Sequence, residues 1–137
     1  MKLVTWVIAF ILAPAFNTST GALSQSQSEL NQAACESYKK ADAQLNRIYN
    51  QILNDYAGDK NFVEKMRVAE RAWIAFRDAH VNSIYPDPDT RRAYGSIHPM
   101  CYCALLEQLT NDRIKTLRMW TDGVPEGDGC TGSQKVR

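Results

Sequence analysis

Apolar residues return at steps of three and four along most of this chain. Leu30, Ala34, Tyr38, Ala41, Leu45, Tyr49, Ile52 and Tyr56 form one such series, which lines a single helical face for about 45 Å at 1.5 Å per residue. The series is preceded by Ser26-Gln27-Ser28-Glu29, whose Ser and Glu are placed to satisfy each other's orphan amides at a helix start, and Gly58 ends it. Asn61-Phe62-Val63-Glu64 offers a second start. Phe62, Met66, Ala69, Trp73, Phe76 and His80 then keep helical spacing as far as Ile84, where Pro86 stops the helix. Residues 85–98 carry turn formers and no regular period, which predicts an exposed loop of a length that is often functional. Pro99 suits the opening of a third helix, with Cys103, Leu106, Thr110, Arg113, Leu117 and Trp120 on its stripe and Gly123 and Pro125 at its end.

These three amphipathic segments predict an all-α fold, a three-helix up-down-up bundle in which the first and third helices run parallel. The 137 residues, 45% of them hydrophobic, suffice for one such domain. The helical domain is expected over residues 23–122. The Gly-rich, charged stretch 123–137 is expected to be a flexible tail unless Cys130 ties it down.

The first residues follow a different rule. Met1-Lys2, the apolar run 3–12 and then small residues with Pro14 have the order of a secretory signal, and the run is too short to span a membrane. Cleavage is expected after Ala22, with Ala15 the alternative, and no cysteine follows closely enough for a lipid anchor. The mature protein is thus expected to be periplasmic or secreted and not membrane-embedded. Removing Lys2 turns 16 basic against 15 acidic side chains into 15 against 15. Such neutrality speaks against nucleic acid, whose phosphates demand a basic surface.

An even number of cysteines in an exported chain points to disulfides, and Cys35, Cys101, Cys103 and Cys130 allow three connectivities. Cys35 lies about two turns into the first helix and Cys103 about one turn into the third. Parallel helices bring both to one end, so Cys35–Cys103 is the preferred bridge. Cys101 sits about 200° around the helix axis from Cys103, which leaves Cys130 as its expected partner. The same divergence argues against a metal site formed with His80, and neither metal nor cofactor is expected. A thiolate at Cys101 would gain from a helix amino terminus, but no Cys-x-x-Cys motif supports redox chemistry. The chain also lacks a phosphate-cradling glycine loop, His-Glu-x-x-His and a serine elbow, so catalysis is not expected.

Several segments nevertheless form a recognisable set. Tyr38, Ala41-Asp42, Leu45-Asn46 and Tyr49, the run 69–79 through Trp73, Arg77 and Asp78, Gly95-Ser96, and 109–113 ending in Arg113 together resemble the LprI-type lysozyme-inhibitor family over residues 30–120. That resemblance implies an exported, non-catalytic helical protein whose partner is a lysozyme-type muramidase. The chain departs from the family pattern at Glu70, where Gln is usual, at His80, where Cys is usual, and in the placing of its other cysteines. Asp42, Asn46, Arg77, Asp78 and Arg113 are the polar members of these motifs. Because Asp42 and Arg113 fall on apolar stripes, carboxylate–guanidinium pairs between helices are the economical expectation, with Trp73 in the core. Muramidase clefts hold two carboxylates, so Arg91 and Arg92, with Gly95 and Ser96 in the same loop, are the candidate inhibitory residues.

Overall fold

The computed structural model describes residues 25–127 and 129–137; the expected signal segment and both expected cleavage positions, after Ala22 and Ala15, lie outside them. The described chain is helical: α1 (Gln27–Asp55), α2 (Lys60–Ile84), α3 (Thr90–Tyr94) and α4 (His98–Thr121). Among the described residues the only extended pairing is an isolated bridge between Val124 and Val136. Among the described residues there are therefore four helices where periodicity predicts three, the additional one lying inside the expected loop.

Helix α1 starts as its sequence dictates. The Ser26 hydroxyl accepts from the Glu29 N–H at 3.3 Å, and the Glu29 carboxylate accepts from the Ser26 N–H at 2.7 Å. Helix α2 begins earlier than the Asn61 signal suggests, because Asp59 accepts from the Phe62 N–H and acts as the cap. The short α3 follows the same logic on a smaller scale. Asp89 accepts from the Arg92 N–H at 3.2 Å, and Gly95 at φ 74° closes the helix in a conformation costly to any residue with a Cβ.

Helices α1 and α4 form the principal packing pair. Their direction follows from who meets whom: Cys35 bonds Cys103 near both amino ends, and Ile52 shares a buried cluster with Leu117 near both carboxyl ends. That cluster is Leu45, Ile52, Met66, Ile114 and Leu117, flanked by Tyr49, Phe62, Trp73 and Trp120. Helix α2 runs the other way, with Phe62 near Trp120, and it reaches its neighbours through long side chains instead of close backbone approach. Its buried residues are Met66, Glu70, Arg77 and Val81. The expected stripe is thus corrected, since Phe76 is 56% exposed and Ala69 is also exposed. Measured as 100° per residue, the buried face is turned by roughly 70° from the purely apolar one. On α4, Ile114 lies in the core beside the expected Leu106, Thr110 and Leu117.

The Cys35–Cys103 bridge joins α1 to α4 with the Cα atoms 4.9 Å apart. The expected Cys101–Cys130 bridge does not form, and Cys101 keeps its thiol, half-buried on the first turn of α4. The Gly-rich residues after α4 turn back on the bundle without it. The Val124 N–H donates to the Lys135 carbonyl and the Arg137 N–H to the Val124 carbonyl. The Tyr56 hydroxyl donates to the Ser133 carbonyl at 2.9 Å, and Trp120 Nε1 donates to Ser133 Oγ at 3.1 Å. Gly123 is needed at this return, since a Cβ there would stand 3.1 Å from the Lys135 carbonyl oxygen.

Candidate functional site

The residues singled out by the sequence separate into two places. The first is a polar girdle linking the three long helices. Arg77 on α2 donates through Nη1 to Asp42 of α1 at 3.4 Å and through Nε to Asp78 at 2.9 Å, and Asn46 donates to the other Asp42 oxygen at 3.1 Å. One level along, Arg113 of α4 donates to Glu70 Oε2 of α2 through Nε at 3.0 Å and Nη2 at 2.8 Å. Trp73 lies between the two levels with the Arg77 guanidinium 5.3 Å and the Arg113 guanidinium 5.8 Å from its ring. It is half-buried against the core.

Burial works against the Arg77 charge, but the bond to Asp78 and the neighbouring Tyr38, Asp78 and Asp42 outweigh it and its pKa is raised. Burial likewise pushes the Tyr38 hydroxyl above its ordinary range, with Arg77 opposing. All the guanidiniums and carboxylates of this girdle are thereby committed to one another. It holds helices together, and on one side its Asp42, Asn46, Glu70 and Arg77 line a hollow of about 430 Å³ between α1 and α2. Glu70 completes it and was legible only as a departure from the family pattern, because a carboxylate between Ala69 and Arg71 gives no sign of facing inward until α4 is packed against it.

The second place is the turn around α3. Arg91 and Arg92 are exposed there, and among the described residues no carboxylate lies within ion-pair distance of either. The turn is held from two sides. Asn31 of α1 donates to the Ser96 carbonyl at 2.9 Å. The rings of Tyr85, Tyr94, His98 and Tyr102 pack on one another, with Tyr85 4.8 Å from His98 edge-on and Tyr94 5.5 Å from His98 stacked. Tyr94 also accepts from the Asp87 N–H at 3.0 Å. A recess of about 300 Å³ lies beside it, lined by Asn31, Arg91, Gly95, Ser96 and His98. The four candidate residues of the sequence, Arg91, Arg92, Gly95 and Ser96, thus fall on one exposed turn. The aromatic ring cluster was not read from the sequence, because its members are spread over three elements.

No group of three or more His, Cys, Asp or Glu side chains among the described residues is arranged to hold a metal ion. His80 stacks on Phe76 at 5.6 Å. No helix among the described residues is long and apolar enough to cross a membrane.

Comparison with known proteins gives these surfaces a context. The chain is 31% identical over 104 residues to an uncharacterized protein of Rhizobium meliloti (strain 1021), the match covering 68% of this chain and 72% of the relative. No solved structure matches. The family model described as lysozyme inhibitor LprI matches residues 19–117, which include the girdle, the α3 turn and the Cys35–Cys103 bridge. On that match the chain belongs to the LprI lysozyme-inhibitor family.

Proposed function

We propose that this protein is exported to the periplasm or the medium and there binds and inhibits a lysozyme-type muramidase, using the turn built on α3. One observation carries the choice of surface: Arg91 and Arg92 stand exposed and without carboxylate partners among the described residues, on a turn fixed by the Asn31–Ser96 bond and the ring cluster. A muramidase works with two carboxylates in a cleft. An exposed turn carrying two guanidiniums complements such a cleft in charge, and holding it in place beforehand lowers the entropy lost on binding. The girdle residues Asp42, Asn46, Trp73, Arg77, Asp78 and Arg113 act structurally in this reading. Residues 23–122 are the working domain, and neither a cofactor, a metal nor nucleic acid takes part.

The test is a cell-wall lysis assay with purified mature protein. Slowing of lysis is expected from the unaltered chain, and the double variant Arg91→Ala, Arg92→Ala should weaken it by at least about tenfold, as for the central charged residues of an interface. No slowing at several-fold molar excess would remove inhibition of that enzyme. Undiminished inhibition by the variant would move the contact away from α3.

A second reading, a non-catalytic scaffold or interaction domain of the envelope, draws on the outward side of α2. Val68 and Phe76 are 49% and 56% exposed there. Recovery of non-muramidase partners that depends on Phe76 would favour it.

A further inference from the structure

Helices α1 and α2 do not close on each other between the turn that joins them and the Arg77–Asp42 pair. What separates them is an open groove of two continuous hollows, about 760 Å³ and 430 Å³, that share Arg67 and Arg71 in their lining. From Asp42 to Asn54 the α1 wall is about 18 Å long at 1.5 Å per residue. Along that wall stand Asn46, Asn50 and Asn54, each one turn from the last, so three primary amides line the groove in a row. The opposite wall presents three cations, Lys60, Arg67 and Arg71, with the carboxylate of Glu64 among them. Among the described residues none of these three cations has a carboxylate within ion-pair distance. Asp42 and Glu70, the acidic groups of the deeper hollow, are already paired with Arg77 and Arg113. Against the three cations Glu64 is the one acidic side chain of the lining without an ion-pair partner among the described residues, so the unpaired charge of the groove is net positive. Tyr49 lines the same hollow.

We propose that this groove binds a linear, carboxylate-bearing saccharide. Each amide of the Asn row offers both a donor and an acceptor, which matches sugar hydroxyls that also do both. Arg67 and Arg71 present forked donors to carboxylates, and the Tyr49 ring offers an apolar surface to a sugar face. An extended acidic peptide fits the charge but not the walls. Both walls are helices whose backbone groups are spent on their own hydrogen bonds, so a peptide laid between them would find no edge to pair its N–H groups. The site is separate from the α3 turn, and muramidase inhibition is not required for it.

Tetragalacturonate serves as the acidic probe, with neutral chitotetraose and tetraglutamate as controls, each titrated into the full mature chain while the Asn side-chain amides are followed by NMR. Tetragalacturonate is expected to shift the Asn46, Asn50 and Asn54 amides and to bind at least tenfold more tightly than either control. The variant Arg67→Ala, Arg71→Ala should weaken it by at least about tenfold, as loss of two charge-assisted contacts implies, whereas Arg91→Ala, Arg92→Ala should leave it unchanged. Arg67→Gln, Arg71→Gln repeats the test if the alanine variant loses its helical circular dichroism. Absence of amide shifts at several millimolar tetragalacturonate would overturn the site. Equal binding of tetraglutamate would overturn the saccharide in favour of a peptide, and equal binding of chitotetraose would overturn the role of the arginines.

Discussion

Glu70 and Arg113 meet at 2.8 Å with side chains only 8% and 14% exposed. Two charges so far from water are sustained by each other, so their worth shows when one is removed. Glu70→Ala is expected to destabilise the fold by about 3 kcal/mol, because it strands a buried guanidinium, while Glu70→Leu with Arg113→Leu should recover most of that loss. Urea unfolding of the three proteins measures both, and a single variant no less stable than the double would contradict the pairing. At this scale the sequence was partly legible. Asp42 and Arg113 stood out as polar groups on apolar stripes, and Arg77 as a polar member of the family motifs. Glu70 did not, and Phe76 was misread as buried, since hydrophobicity alone does not reveal that an ion pair turns α2 to face inward by its charged side.

The start of α1 is set by reciprocal hydrogen bonds between Ser26 and Glu29. The Glu29 carboxylate accepts from the Ser26 N–H and from the Ser26 hydroxyl, and these bonds, the backbone one first, hold its pKa below the ordinary carboxylate range. A lowered folded-state pKa contributes stability above the unfolded value and loses it as the pH falls through the folded value. The first turn of α1 should therefore fray as solutions are taken below about pH 4, near the ordinary glutamate value. Glu29→Gln should keep the geometry and abolish that dependence. Amide NMR of residues 26–30 against pH checks it, and identical acid responses of the two proteins would be the contrary result. Caps of this kind were readable in α1 because Ser and Glu stand in fixed register. The Asp89 cap of α3 follows the same rule but lies among prolines and charges, where one and a half turns leave no period to detect.

Across the whole molecule the disulfide connects the two helices that share most of the core. The bridge closes a loop with a sequence separation of 68, and Cys35→Ser with Cys103→Ser should lower stability by about 4 kcal/mol through the freedom returned to the unfolded chain. Thermal unfolding with and without reductant measures it. A midpoint unmoved by reduction would mean that α1 and α4 hold together without the bridge. The same scale explains the open groove. Helix α2 is attached by a single row of side chains, from Phe62 and Met66 through Glu70, Trp73 and Arg77 to Val81, and not by close backbone approach, so one side faces α1 across the groove and another is left exposed.

Helix identity, approximate length, the first cap and the preferred disulfide followed from the sequence, because each depends on residues within a turn or two of one another or on simple counting along a rod. The rotation of α2, the order of the 85–98 segment and the return of the tail onto Tyr56 and Trp120 were decided by tertiary structure. Each of these joins side chains distant in the chain. A charged or aromatic group takes its place only when a partner from another element satisfies it, and local periodicity carries no record of that partner.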